Sequence, residues 1–417
     1  MRTIMKICVI GLGYIGLPTA AMFASHGHQV VGVDKNKKIT DALNKGNIII
    51  EEDHLAELVS QVTANGSLRG QEKPEPADAF IIAVPTPISS DKKADMRFVL
   101  AATEEITPYL QPGNLVILES TSPPGTVDQL MLPVLESRGL KAGSDFYLGH
   151  SPERVIPGRI LYELVNNSRI AGGINRLSAQ KIADLYRSFV EGEIYLTDSR
   201  TAEMCKLAEN TFRDINIAYA NELAQICESS GINVWELISL CNKHPRVNIH
   251  QPGPGVGGHC IAVDPWFIVE KYPETALLIH QARLINDSMP SVVADKAACL
   301  LKGIPQAKIA VLGVTYKPNV GDMRESPILK LIPMLEASGY QVISADPYAE
   351  GCVKDPYEAA AGCDLLIMAV NHDSYSGLDL TRLAKSMRHP YLLDTRNFYD
   401  REAARAAGFE YHLLGSC

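Results

Sequence analysis

A chain of 417 residues is longer than one hydrophobic core usually serves, so two or three domains are expected, and its 46% apolar and 21% charged content is that of a soluble globular protein. The formal net charge of -9 argues against a polyanion-binding surface: no nucleic-acid partner is expected, and an anionic small ligand would need local basic pockets. Nine cysteines are scattered without a C-x-x-C pair or a secretory segment, and no stretch approaches the length of a membrane span; a reducing cytoplasm and no membrane partner are expected.

Residues 6–10 form a short apolar run of the kind a buried parallel strand shows, and they feed directly into Gly11-Leu-Gly13-Tyr14-Ile15-Gly16. Residues 17–26 suit a helix packed on a sheet, and 29–34 give a second strand that ends in Asp34. Three glycines in this pattern are a weak signal alone; strand, glycines, helix, strand and terminal acid together indicate a dinucleotide-binding unit. Gly11 permits the tight turn, Gly13 lets a pyrophosphate approach the backbone, and Gly16 allows close helix packing. Asp34 would hydrogen-bond ribose hydroxyls and repel a 2'-phosphate, which favours NAD over NADP. A structural glycine turn without cofactor is the competing reading.

Three further apolar runs end in polar or proline-containing corners: 78–84 at Pro85-Thr86-Pro87, 115–119 at Ser120-Thr121, and 146–149 at Ser151-Pro-Glu153-Arg154. Ligands of an open parallel sheet lie outside the carboxyl ends of its strands, where these corners would gather. Thr86 and Thr121 are therefore candidate cofactor neighbours, or else ordinary turn and cap hydroxyls. Position alone does not decide the role of Glu153 and Arg154. Gly172-Gly173 interrupts the chain, a helical stretch follows at 177–190, and 194–196 leads toward a long helix.

From about 200 to 229 there is neither proline nor glycine. On a helical wheel Met204, Leu207, Ala208, Ile215, Ala218 and Ile226 fall on one side, with Lys206, Asn210 and Arg213 on the other. The second side reads as a solvated face, or as an amide and cation cluster suited to a polyhydroxylated anionic ligand. His244-Pro-Arg246-Val-Asn-Ile-His250 follows, just upstream of Pro252-Gly-Pro-Gly-Val-Gly257-Gly-His-Cys260-Ile-Ala-Val-Asp264-Pro265. Paired glycines let this loop close on a ligand while presenting a thiol, and thiol with nicotinamide suits oxidation of an aldehyde. A small apolar filler is the competing reading of Cys260. His244, His250, His259 and Cys260 could also ligate zinc, but their spacing fits no structural zinc pattern and no metal is expected. Residues 265–271 and 274–302 read as helical, with Pro290 separating two helices or opening the later one.

Residues 307–313 repeat the apolar strand into glycine without the other glycines, and 341–346, 364–370 and 391–394 complete a second set of short strands. This second unit should not bind a dinucleotide in the same way. Tyr316-Lys317-Pro318 and Asp322-Met-Arg324-Glu-Ser326 follow its first strand, with Ser326 as an N-cap. The fold class is therefore α/β: an N-terminal Rossmann-type parallel-sheet domain at 1–199, a central long-helix segment at 200–302, and a second, Rossmann-like α/β domain at 303–417.

In this order the chain resembles the nucleotide-sugar 6-dehydrogenase family over nearly its full length. The most specific stretches are Gly11-Leu-Gly-Tyr-Ile-Gly-Leu-Pro18, Ser199-Arg-Thr-Ala-Glu-Met-Cys-Lys-Leu-Ala-Glu-Asn210, 252–267 and Lys317-Pro-Asn-Val-Gly-Asp-Met-Arg-Glu-Ser326. Residues 153–158, 212–216, 242–248 and 262–267 look most like the branch that uses UDP-N-acetylmannosamine, the glucose-specific branch being more distant. The resemblance implies oxidation of a UDP-sugar at C6 by two NAD and water, giving a uronate of the kind used in bacterial surface polysaccharides. Cys260 would capture the intermediate aldehyde as a thiohemiacetal, which is oxidised to a thioester and hydrolysed. By the same likeness Lys206 is the acid/base or oxyanion-stabilising group, with Asn210 beside it. Asp264 and Glu153 are the acids that could order or deprotonate water, through Thr121, and neither is preferred. The likeness puts Tyr14, Ile15, Asp34, Thr86, Thr121 and Arg324 on NAD. It puts Arg154, Val155, Lys206, Asn210, Arg213, His244, Arg246, Gly257 and Lys317 on the UDP-sugar, and implies a homodimer joined through the central helices. One departure is Glu119, where many relatives carry lysine, though the branch that uses UDP-N-acetylmannosamine resembles this sequence there.

Rival readings are UDP-N-acetylglucosamine or UDP-glucose as substrate, a two-electron dehydrogenase of the 3-hydroxyacid or 6-phosphogluconate type, and a NAD-responsive binding protein. The two-electron type needs neither Cys260 nor a third domain, and in the binding protein Cys260 would be dispensable.

Overall fold

In this computed structural model residues 4–50, 52–156 and 158–416 are described. The chain divides into two compact units, with the boundary between Glu209 and Asn210.

The first unit is built on one sheet of β1 (Lys6–Ile10), β2 (Gln29–Val33), β3 (Leu68–Gln71), β4 (Ala79–Ile82), β5 (Leu115–Leu118), β6 (Tyr147–His150), β7 (Arg169–Gly173) and β8 (Ile194–Asp198), in the order β3-β2-β1-β4-β5-β6-β7-β8. Its strands read as apolar runs because both faces are covered: Ile7, Val9, Phe80, Ile81, Val116, Ile117 and Leu148 are all fully buried. The order reverses between β1 and β4, the point where a doubly wound sheet opens a ligand crevice at its carboxyl ends.

Two features of this sheet correct the sequence reading. It is not wholly parallel, since β7 runs antiparallel to β6 with Gly149 opposite Gly173 and His150 opposite Gly172. Gly172-Gly173 also ends a strand rather than interrupting the chain. A Cβ at Gly172 would lie 2.4 Å from the Ala202 methyl and one at Gly173 2.3 Å from the Ala179 nitrogen, so glycine here permits close packing. The short edge strand β3, with Leu68 as its one fully buried residue, escaped the apolar pattern.

The helix Ser199–Ser230 has the expected length, but it buries only part of the expected apolar face, Leu207 and Ala218, and buries polar residues beside them. Ala208 and Ile226 are exposed, whereas Glu203, Leu207, Asn210, Asp214, Ala218 and Asn221 are buried at helical spacing. The polar members of that stripe tolerate burial because each has a partner. Glu203 accepts the backbone N–H groups of Gly125 and Val127, Asn210 meets Asp264, Asp214 meets Arg283, and Asn221 meets Asn286.

In the second unit Leu277–Leu300 is one continuous helix with Pro290 inside it, so the expected break is absent. Proline cannot donate to the Asn286 carbonyl one turn back. A Cβ on Gly255 would meet that carbonyl oxygen at 3.2 Å, so the glycine loop packs where the helix ladder is interrupted. The second sheet comprises β9 (Lys308–Leu312), β10 (Gln341–Ala345), β11 (Leu365–Met368), β12 (Tyr391–Asp394) and β13 (Glu410–Leu413). All pairs are parallel, in the order β10-β9-β11-β12-β13, the other common doubly wound order. Its core is formed by Ile309, Val311, Leu365, Ile367 and Leu393. Ser326 Oγ accepts the Ile328 N–H at 3.3 Å at the start of the helix Ile328–Ala337. Among the described residues no helix is long and apolar enough to cross a membrane.

Candidate active site

The turn after β1 explains its own sequence. Gly11 sits at φ +94°, and a Cβ there would lie 2.4 Å from the Ala83 carbonyl oxygen; one at Gly16 would lie 1.8 Å from the Gly11 carbonyl oxygen. Gly13 has nothing within 4 Å of its Cβ direction, which leaves a face of backbone open at the start of the helix Gly16–Ser25. Asp34 is half-buried at the end of β2, its Oδ2 accepting the Leu12 N–H at 3.0 Å and its Oδ1 the Asn36 N–H at 2.8 Å. Each oxygen keeps a lone pair for a further donor. These residues fit NAD: a helix N-terminus with an open backbone suits a pyrophosphate, and a pinned acid suits vicinal ribose hydroxyls. Tyr14 is exposed and Ile15 half-buried beside the turn, and Thr86 and Thr121 are half-buried beyond β4 and β5. Ser120 ties those two corners together by donating to the Val84 carbonyl at 2.7 Å.

Glu153, three residues beyond β6, belongs to a buried charged cluster. Its Oε1 accepts the Arg154 N–H at 2.6 Å and its Oε2 accepts Arg169 Nη1 at 2.7 Å. Arg169 also donates from Nη2 to Glu119 at 2.6 Å and from Nε to Ser151 at 2.9 Å, and its guanidinium lies 3.8 Å above the Tyr186 ring. The Tyr186 hydroxyl donates to Glu119. Burial pushes the Glu119 carboxyl up to about 7, against the pull of Arg169. His150, wholly buried nearby, is pushed down to about 3 by burial and stays neutral. Sequence reasoning missed Arg169 and Tyr186; the signals were a cation opening an apolar run and an acid, Glu119, closing another. Arg154 Nη1 donates to Glu209 at 2.7 Å and its other terminal nitrogen to the Ser168 carbonyl, while Val155 packs against the core and Lys206 is half-buried.

In the second unit the cysteine loop is fastened at both ends. Asn210 Nδ2 donates to Asp264 Oδ2 at 2.6 Å, and Asp264, 2% exposed, opens the helix Asp264–Lys271. The N–H groups of Val263 and Asp264 both donate to the Cys260 carbonyl, at 3.0 and 2.8 Å, closing a turn that ties the half-buried cysteine to the helix start. Gly258, at φ +84°, donates its N–H to the Arg324 carbonyl at 3.1 Å. A Cβ at Gly257 would lie 2.6 Å from the Glu325 carbonyl oxygen and one at Gly258 2.8 Å from the Tyr316 ring, so only glycine lets the loop press this close. Upstream, the Gly253 N–H donates to Asn221 Oδ1 at 2.9 Å.

A Cβ at Gly253 would meet Arg396 Nη1 at 2.6 Å. Arg396 was also missed by the sequence reading, though a cation just past the carboxyl end of β12 was the available signal. Its Nε donates to the Ala369 carbonyl at 2.9 Å, and burial pulls the guanidinium down to about 10 despite the nearby Asp394. A half-buried guanidinium in this position suits an anion. The structure thus gathers Cys260, Asn210, Asp264 and Gly257 around one loop. Arg213, His244 and Arg246 are exposed, Lys317 is half-buried, and Arg324 is held by Asp322 at 2.7 Å. A cavity of about 750 Å³ lies on this unit, lined by Trp235, Asn242, Lys243, Asn248, His250 and Asn397 among others.

An open glycine turn with a pinned acid on one doubly wound sheet, in a chain whose second sheet keeps the first glycine of that turn without the other two, defines an NAD-linked dehydrogenase with a separate domain for its other ligand. Comparison with known proteins narrows the class. The chain belongs to the UDP-glucose/GDP-mannose dehydrogenase family, matching its NAD binding domain over residues 5–190, its central domain over 200–288 and its UDP binding domain over 310–401. It is 48% identical to the UDP-N-acetyl-D-mannosamine dehydrogenase of Methanocaldococcus jannaschii, over 98% of this chain and 96% of that one. It is 45% identical to the NDP-N-acetyl-D-galactosaminuronic acid dehydrogenase of Ralstonia solanacearum, over 96% of this chain and 97% of that one. Its structure superposes on that of the UDP-D-ManNAc dehydrogenase of Pyrococcus horikoshii with a TM-score of 0.94 at 42% identity, covering 99% of both chains.

Proposed function

We propose that this protein oxidises C6 of UDP-N-acetyl-D-mannosamine to the carboxylate, with two NAD consumed per sugar, supplying an activated uronate for surface polysaccharide. Residues 1–199 serve NAD, 200–302 the chemistry and dimerisation, and 303–417 the UDP-sugar. The observation that carries the reading is the 2.6 Å bond from Asn210 to Asp264, which fixes an amide beside a loop that presents a thiol. The full-length likeness to enzymes named for UDP-N-acetyl-D-mannosamine supports the choice of sugar.

NAD, when bound, accepts the hydride in each of the two oxidations. Lys206 takes the proton of the C6 hydroxyl in the first. The Cys260 thiolate then forms a C–S bond to the aldehyde carbon, and Lys206 with the Asn210 amide holds the resulting oxyanion. After the second oxidation the C–S bond belongs to a thioester, and attack by water breaks it to give carboxylate and thiolate. We assign the water's proton to Glu153, through Thr121, and the orientation of Asn210 to Asp264, because Asp264 is buried and already bonded by that amide. The Tyr14, Ile15, Asp34, Thr86 and Arg324 side chains serve NAD. Arg154, Val155, Arg213, His244, Arg246, Gly257 and Lys317 serve the UDP-sugar, and we add Arg396 as a contact for its diphosphate.

A homodimer is supported by Phe212, Tyr219 and Ile226, which recur every seventh residue along the central helix and are 62%, 51% and 51% exposed. A reducing cytoplasm is supported by the eight free cysteines among the described residues. Because the Ralstonia relative is named for a galactosaminuronic acid, the test offers purified protein and NAD to UDP-N-acetylmannosamine, UDP-N-acetylgalactosamine, UDP-N-acetylglucosamine and UDP-glucose. Two NADH per UDP-N-acetylmannosamine, with the uronate formed, are expected. Preference for another sugar overturns the substrate, and one NADH per sugar overturns the chemistry.

A further inference from the structure

We infer that Arg169 and Glu119 are positioning residues for the hydrolytic step, holding the Glu153 carboxylate in one orientation through the guanidinium the two acids share. The inference rests on Glu153 being the group that activates water.

The antiparallel turn of β7 creates the arrangement. With Gly149 opposite Gly173 and His150 opposite Gly172, β7 starts beside the segment that follows β6, and there Arg169 bonds Glu153 at 2.7 Å. A parallel strand would have opened at the far edge of the sheet, whereas this one opens at the carboxyl ends of β5 and β6, where Glu119 and Glu153 stand. Each guanidinium nitrogen then has its own acceptor: Glu153 at 2.7 Å, Glu119 at 2.6 Å and Ser151 at 2.9 Å. The Tyr186 ring, 3.8 Å from the guanidinium carbon, closes one face. With its Oε1 on the Arg154 N–H and its Oε2 on Arg169, the Glu153 carboxylate has no freedom to turn.

Two buried carboxylates share one buried cation, so full ionisation leaves an excess negative charge where charge is costly. Glu119 is the group that relieves it. Arg169, Glu153, Tyr186 and Thr19 act on it, while His150 on β6 is neutral and feels Arg169 and Lys206. With Glu119 protonated, Arg169 serves Glu153 alone and holds its carboxylate firmly. With Glu119 ionised, the guanidinium is divided between two acids and its hold on Glu153 loosens. The rate of hydrolysis should therefore show an inflection near pH 7, the value to which burial pushes Glu119.

The test follows the breakdown of the Cys260 thioester by acid quench and intact mass across about pH 6 to 9, with the burst of two NADH per site as internal reference. Glu119→Gln is expected to abolish the inflection near neutral pH. Arg169→Lys is expected to slow hydrolysis by about 10- to 100-fold, with acyl-enzyme accumulating and KM little changed. An unaltered inflection in Glu119→Gln, or a loss in Arg169→Lys that falls on KM or on the first oxidation, overturns the inference. If Arg169→Lys does not fold, the isosteric Glu119→Gln decides by itself. Glu153→Gln separates the two levels. Failure of that variant to trap the thioester removes Glu153 from water activation, whereas trapping there with native-like hydrolysis in the other two removes only the present inference.

Discussion

Asp346 accepts the backbone N–H of Val314 at 2.8 Å, the same bond that Asp34 accepts from Leu12 at 3.0 Å. In both units the acid ends the second strand and closes the turn after the first, where a glycine sits at φ +90° or +94°. The two acids then part company. Asp346 is fully buried and also bonded by His372 at 3.1 Å and by the N–H groups of Tyr348 and Ala349, so its lone pairs are consumed by its own loop. Asp34 is half-buried and keeps acceptor capacity for a ribose.

The same substitution should therefore act differently at the two positions. Asp34→Asn is expected to raise the KM for NAD about 10-fold and to narrow the preference over NADP, with little change in stability. Asp346→Asn is expected to cost about 2–4 kcal/mol in urea unfolding and to leave the KM for NAD unchanged. Equal effects on NAD kinetics would refute the distinction.

At the cysteine loop, Cys260→Ala should still bind UDP-sugar and NAD by calorimetry yet form no uronate. Asp264→Asn removes the charge that the Asn210 amide bonds at 2.6 Å. We expect kcat to fall about 100-fold with KM for the sugar nearly constant, as for loss of an oriented oxyanion donor. Acid production by Cys260→Ala at the native rate would eliminate the thioester.

A chain of buried side chains supports that loop from below. Arg283 bonds Asp214 at 2.6 Å, Asp214 accepts Asn286 at 2.8 Å, Asn286 accepts Asn221 at 2.9 Å, and Asn221 accepts the Gly253 N–H at 2.9 Å. Asn221→Leu strands both the Gly253 donor and the Asn286 acceptor. It should cost about 2–4 kcal/mol, read from denaturant midpoints, and should lower kcat by disturbing the loop. A neutral result would show that the chain is not coupled to the loop.

Acid stability should report on Asp364. Burial alone would raise this carboxyl, but bonds from Arg388, His389 and the Lys308 N–H outweigh it and hold it at about 2. A folded-state value below the unfolded one gives stability that is complete above about pH 4 and lost as pH falls toward 2. The contribution is about 2 kcal/mol, so Asp364→Asn should lower stability at neutral pH and flatten the acid limb of the pH–stability curve. An acid limb as steep as the native one would assign the loss to other carboxylates.

Much of this was legible in the chain because it depends on neighbours in sequence. The strands at 6–10 and 29–33, the glycine turn and Asp34 follow from local sterics, and Gly257-Gly258-His-Cys260 declares a close approach whatever it approaches. The face of the central helix did not follow, because the partners that let Asn210 and Asp214 be buried stand 54 and 69 residues away. Periodicity alone treats a buried amide as a solvated one.

By itself the sequence determined two doubly wound units, a dinucleotide turn and a thiol loop, since each is a matter of short-range backbone geometry. Only the tertiary structure decided that β7 reverses, that Arg169 is shared by Glu119 and Glu153, and that Pro290 passes through an unbroken helix facing Gly255. Those outcomes depend on how distant strands and helices satisfy one another's buried polar groups, an energy that appears only when the partners meet.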